Sequence, residues 1–180
     1  MALLSPGGAI TQAKRPPLVA YPRHPEPVEL LQLLGGLLDK AVTVTPRSNP
    51  PREALGDDTF RAAYVTQDAS LAVCVSVDVA LGAGCAASLA LVPPTQAEGW
   101  VGDGALPEDA AGNLYEVLNV LSATFNDVNP TRHVKISAMV GPGEPTPDEL
   151  ALLADRARKF EVHDVAVADY PGGVLRIFSA

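Results

Sequence analysis

Glu116 and Asn119, three residues apart, are the pair in this sequence whose types and spacing best suit chemistry. On a helix that spacing makes them surface neighbours, roughly 5–6 Å apart at Cβ. A carboxamide both donates to and accepts from a water molecule. Held beside a reactive phosphoryl group, it can orient that water for in-line attack without transferring a proton itself. Glutamine plays this part in GTPases, where positioning suffices because the electrophile is already activated. The neighbouring carboxylate suits docking to a lysine on a partner. The same pair also reads as an ordinary solvated helix face, and the residues alone leave both readings open.

The element that must position them runs from Asn113 to Asn126. Its apolar residues recur at three- and four-residue spacing, which predicts a long amphipathic helix. Leu114, Val117, Leu118, Leu121 and Phe125 share one broad face, whereas Asn113, Glu116, Asn119 and Asn126 share the other. Gly112 and Ala123 lie among the polar residues, so the exposed stripe carries little bulk and admits a close approach. Pro107, Glu108 and Asp109 open the helix with acids where its dipole favours them.

Composition narrows the classes. The 180 residues suffice for one domain with a substantial core, and 47% of them are hydrophobic against 19% charged, which argues against disorder. A formal net charge of −8 disfavours nucleic acid and anionic membrane as partners. No apolar run approaches a membrane span of roughly 18 residues, and Lys14 and Arg15 lie on the wrong side for a signal peptide. Cys74 and Cys85, the only cysteines, lie in apolar surroundings that suit buried thiols in a reducing cytoplasm better than a disulfide.

Residues 1–26 are rich in Pro, Gly and small side chains without periodicity, and read as a loose arm ahead of a single domain over 27–180. The pattern then predicts a helix over 27–40 with a weak point at Gly35 and Gly36, a strand over 41–45, and a loop over 47–58. A hairpin follows over 60–66 and 70–79, then a small-residue helix over 80–91 that Pro93 and Pro94 end. Residues 95–106 read as a connection around Trp100. After the central helix come a strand over 133–139 and a loop over 141–145. A helix runs from a capping-box sequence at Thr146 to Lys159. A second hairpin over 162–168 and 174–178 turns at Tyr170, Pro171, Gly172 and Gly173. Strands grouped in hairpins predict an α+β fold with a mostly antiparallel sheet flanked by helices.

Other chemistries find little support. Gly82, Gly84 and Ala87 match a G-x-G-x-x-A dinucleotide fingerprint, but close packing of a helix on a sheet explains these small residues better. His24, His133 and His163 show no ligand spacing with one another or with the cysteines, so no metal site is expected. There is no P-loop and no nucleophile elbow. Trp100 and Tyr170 suit core and turn positions.

The segment around Glu116 and Asn119 resembles the Glu-x-x-Asn helix of the CheC/CheX chemotaxis phosphatases. From about residue 27 onward, the order of elements also follows that family, including the strand from Val134 to Ser137 after the motif helix. The resemblance implies a long antiparallel sheet flanked by helices, with the motif helix inserting beside the phosphoaspartate of a response-regulator receiver domain. By similarity, Asn119 would orient the attacking water and Glu116 would pair with the regulator's lysine, with Gly112, Asn113 and Ala123 in the contact surface. The family needs no cofactor of its own, since the Mg2+ belongs to the regulator. Members of that family can dimerise by joining sheets, which makes a homodimer compatible with the resemblance. Gly112 stands where members often carry Asp or Ser, and the helix over 80–91 has no Glu-x-x-Asn, which leaves one site as in CheX.

Two functional expectations follow. One is a cytoplasmic phosphatase acting on a regulator's aspartyl phosphate. The other is a non-catalytic module of the same fold, using the same helix to bind a partner in a signalling or motor-switch assembly. A receiver's phosphorylation pocket is acidic, so the first requires nearby cations such as Arg132 or Lys135.

Overall fold

The computed structural model describes residues 22–52, 55–126 and 133–180. In chain order its elements are α1 (Pro27–Leu38), β1 (Val42–Pro46), β2 (Thr59–Val65), β3 (Leu71–Asp78), α2 (Val79–Leu89) and α3 (Pro94–Asp103). Then follow α4 (Glu108–Phe125), β4 (Lys135–Val140), α5 (Asp148–Arg156), β5 (Lys159–Val167) and β6 (Tyr170–Ser179). The strands form one six-stranded sheet in the order β1-β5-β6-β3-β2-β4, with every neighbouring pair antiparallel. The α+β fold with an antiparallel sheet is thus observed.

Side-chain alternation along the central strands divides the interior into two unequal layers. Phe60, Tyr64, Val75, Val77, Leu175 and Ile177 face one way and pack with the apolar stripes of α1, α2 and α4 in the main core. Ala63, Cys74 and Phe178 face the other way, under α5, with Leu150, Leu153 and Ala157. The sheet is covered on both faces, so β2 and β3 read as continuous apolar runs rather than alternating ones.

Three elements differ from their sequence patterns, each for a tertiary reason. Residues 95–106 are mostly a helix, α3, whose Ala97 is buried against Ala83 and Ala87 of α2. The helix after Thr146 stops at Arg156 rather than Lys159, because Ala157 turns extended and the Arg158 amide donates to Ser179 O, drawing the chain into the sheet. The capping box at Thr146 does not form. Its hydroxyl donates to Asp57 Oδ1 at 2.7 Å and accepts from Arg61, while Pro147 takes the cap position. The last hairpin turns at Ala168 and Asp169, with Asp169 at φ 69°, and Tyr170 to Gly173 belong to β6. Gly172 and Gly173 serve close approach instead. A Cβ on Gly172 would stand 2.6 Å from Val165 O, and one on Gly173 2.1 Å from Asp78 Oδ1.

Gly35 and Gly36 do not interrupt α1. Residues 22–26, within the stretch read as an arm, pack onto the domain with Pro22, His24 and Pro25 buried. The remainder of that stretch, residues 1–21, lies outside the described residues.

Candidate functional site

α4 is held at its middle and at its C-terminal end. Glu108 and Asp109 sit in its first turn, where the helix dipole favours carboxylates. Midway, the buried Tyr64 hydroxyl donates to Leu118 O at 2.7 Å, and the Tyr64 ring meets Phe125 edge-on with centroids 5.4 Å apart. Asn126, expected on the polar stripe, is instead the C-cap. Its Oδ1 accepts from Val134 N at 2.7 Å and its Nδ2 donates to Val134 O at 3.1 Å, tying the helix end to the strand edge. Leu114, Val117, Leu118, Leu121 and Phe125 are all buried.

That anchoring leaves the opposite face open. Glu116, Asn119, Gly112 and Ala123 are exposed and Asn113 is half-buried, so the five residues singled out in the sequence do share one accessible surface. A Cβ on Gly112 would meet nothing within 4 Å. Val120, 39% exposed, adds an apolar contact beside Asn119. Glu116 and Asn119 have no hydrogen-bond or ion-pair partner among the described residues. Of the two cations a receiver's approach would need, Lys135 is exposed on the edge strand β4 and Arg132 lies outside the described residues. The described parts of α2, α3 and α4 carry no Lys or Arg at all.

A second polar cluster gathers around Glu161. His24, ahead of α1, is buried, with Nε2 2.8 Å from Ser179 Oγ and Nδ1 3.2 Å from Glu161 Oε2. His163 is also buried, and its Nε2 lies 3.5 Å from the same oxygen, while Lys159 Nζ stands 3.0 Å from Glu161 Oε1. Burial works to raise the Glu161 pKa, but the contacts from His163, His24 and Lys159 outweigh it and hold the carboxyl well below the usual range. The imidazole contacts to Glu161 are electrostatic rather than aligned hydrogen bonds, and neither His163 nitrogen has a hydrogen-bond partner among the described residues. A cleft of about 570 Å³ opens beside this cluster, lined in part by Glu26, Arg47, Lys159 and Glu161. Alternation on a strand places Glu161 and His163 on one face and was open to sequence reasoning. His24 arrives from 137 residues away in the chain and was not.

Arg61 is a buried cationic side chain, fully enclosed on the α5 face. It donates to Gly56 O, Asp57 Oδ1, Thr146 Oγ1 and Glu144 O at 2.9–3.2 Å, and to Gly141 O. It therefore staples the loop before β2 to the loop between β4 and α5.

The G-x-G-x-x-A segment lies inside α2, where a Cβ on Gly84 would stand 1.9 Å from Pro171 O and one on Gly82 3.1 Å from Leu114 and Phe60. Helix-on-sheet packing accounts for it. Cys74 and Cys85 are buried free thiols, each pushed up to about 12 chiefly by burial. Trp100 is half-buried against the core, and the Tyr170 hydroxyl donates to Val92 O at 2.9 Å. Among the described residues, no group of three or more His, Cys, Asp and Glu can hold a metal ion. No helix there is long and apolar enough to cross a membrane.

No family model and no curated protein matches this chain. Solved structures do. The chain is similar to the FliM middle domain of H. pylori at a TM-score of 0.56 and 10% identity, over 85% of this chain and 84% of that one. It is similar to the H. pylori FliM–SpeE complex structure at 0.60 and 10%, over 85% and 80%. It is also similar to the H. pylori FliG–FliM complex structure at 0.53 and 9%, over 85% of both. At such identities the likeness establishes the fold alone. The chain has the CheC-like α+β fold carried by the FliM middle domain.

Proposed function

We propose that this protein is a non-catalytic binding module of the CheC-like fold, using the outer face of α4 to hold a protein partner in a signalling or motor-switch assembly. The observation that carries this reading is the match over 85% of the chain to FliM structures, two of them complexes with other proteins, FliG and SpeE. The open α4 face supports it: the helix is fixed from behind by Tyr64, Phe125 and Asn126, which keeps its outer residues in place for docking at little ordering cost.

A second reading, an aspartyl-phosphate phosphatase, has one observation in its favour. Glu116 and Asn119 are exposed together on a face with nothing over Gly112, the arrangement that water positioning beside a phosphoryl group requires. Against it stands the absence of Lys and Arg from α2, α3 and α4. An acidic receiver pocket meets an acidic helix there.

One experiment separates the two. The purified chain is incubated with phosphorylated and unphosphorylated receiver domains and with a FliG-type protein, and both binding and phosphate release are followed. The binding module is expected to retain a partner without accelerating release. Accelerated release that is lost in Asn119→Ala, with the fold intact, would replace this reading by the phosphatase. Binding that survives Glu116→Lys and Val120→Asp together would remove α4 as the docking face.

A further inference from the structure

The net charge of this protein is concentrated in one stretch of it. Between Arg61 and Arg132 there is no Lys or Arg, while the stretch holds eight acids, equal to the whole formal net charge of −8. The rest of the chain is balanced, with 13 acids and 13 basic residues. Its carboxylates are repeatedly paired: Glu29 with Arg23, Asp57 with Arg61, Glu161 with Lys159, Asp164 with Arg47, and Asp169 with Lys40.

The acidic stretch is different. Asp68 and Asp78 are absorbed locally, the first by Thr66 and Ser70, the second by the Leu81 and Val174 amides. On α4, by contrast, Glu108, Asp109 and Glu116 are exposed, and no ion pair among the described residues involves them. At 100° per residue they fall on the same outer face as Gly112, Asn119, Val120 and Ala123. That face is therefore a rigid, shallow surface with an apolar contact at Val120, three carboxylates without an ion-pair partner among the described residues, and no Lys or Arg of α4 itself.

We infer that the outer face of α4 docks a basic surface of a partner protein, one that presents Lys or Arg around an apolar side chain. This inference rests on the binding-module reading and supplies the chemistry of its partner. Complementary charge would steer such a partner to the helix and discriminate against acidic surfaces. Val120, with the unobstructed Gly112 and Ala123 on either side, supplies the close contact that charge alone lacks.

The test titrates the isotopically labelled full chain with two synthetic helical peptides of the same length, one of Leu and Lys, the other of Leu and Glu. Backbone amide shifts are read at low and at high salt. The Leu/Lys peptide is expected to shift residues of α4 from Glu108 to Ala123, with at least tenfold weaker binding between about 50 mM and about 300 mM salt, where screening shortens to within a few ångströms of contact range. Glu108→Lys with Glu116→Lys is expected to abolish those shifts. The milder Glu116→Gln should weaken binding several-fold and guards against misfolding of the double variant.

Equal binding of the two peptides, no binding of either, or shifts centred on the cleft beside Glu161 would each overturn the inference. None of these outcomes would remove the binding-module reading, which is judged separately by phosphate release and by whether α4 substitutions change receiver and FliG-type binding.

Discussion

α2 and α4 lie side by side over the same sheet, yet they solve opposite problems. In α2, eight consecutive residues from Leu81 to Ser88 are buried, and the helix carries no charge. In α4, buried and exposed positions alternate with the helical period, and the exposed ones include three carboxylates and two carboxamides of varying exposure. Small residues occur in both for unrelated reasons. Gly84 of α2 has another backbone 1.9 Å from where its Cβ would be, whereas Gly112 of α4 has open space. A glycine in a helix thus marks either a packing interface or an unobstructed surface, and only the neighbours tell which. α2 is spent on the core, which leaves α4 as the member of the pair able to meet another molecule.

Four measurements would break or sharpen that contrast. The largest effect is expected from Gly84→Ala, which forces β6 away from α2 and, with backbone rather than a flexible side chain in the way, should cost about 3 kcal/mol or more in denaturant unfolding. A neutral result would mean that the two backbones are not in contact. Leu118→Ala, on the buried side of α4 and 2% exposed, should cost about 3 kcal/mol through the cavity it leaves.

Glu161→Gln tests the charge-balanced region by its pH profile. The folded-state pKa of Glu161 lies below that of the unfolded chain. Its stabilisation is therefore complete above the ordinary carboxylate range and is lost as pH falls through that range and below. Wild type should lose more stability than Glu161→Gln between about pH 5 and about pH 2. Parallel profiles would show that the histidines and Lys159 do not act on this carboxylate. The smallest effect is expected from Gly112→Ala, which should stabilise the chain by about 0.5–1 kcal/mol, as alanine does in an open helix interior. A loss instead would reveal an unseen neighbour over the proposed docking face.

The recognisable features of the sequence were those with a local period. α4 could be read because every third or fourth residue from Leu114 to Phe125 is apolar. The hairpin of β2 and β3 could be read because two β-branched runs flank Gln67, Asp68 and Ala69. The candidate pair Glu116 and Asn119 followed from the same period, and its exposure agrees. The charge partition was also present in the primary structure, but it acquired meaning only once the paired and unpaired carboxylates could be distinguished. α3 escaped notice because Gly99 and Gly102 weaken its helical signal, while burial of Ala97 against α2 supplies what propensity lacks.

Local periodicity was enough to define most of the elements, their order and the polar face of α4, because each depends on residues within a turn or two of one another. Contacts across the chain decided the rest. Arg61 engages Thr146 and its loop, taking the hydroxyl that a capping box would have used. Ser179 draws Arg158 out of the helical path and His24 into the core. Pro171 passes under Gly84 and converts an apparent turn into strand. In each case a buried polar group or a backbone demanded a partner that only the folded chain brings within hydrogen-bonding or van der Waals distance.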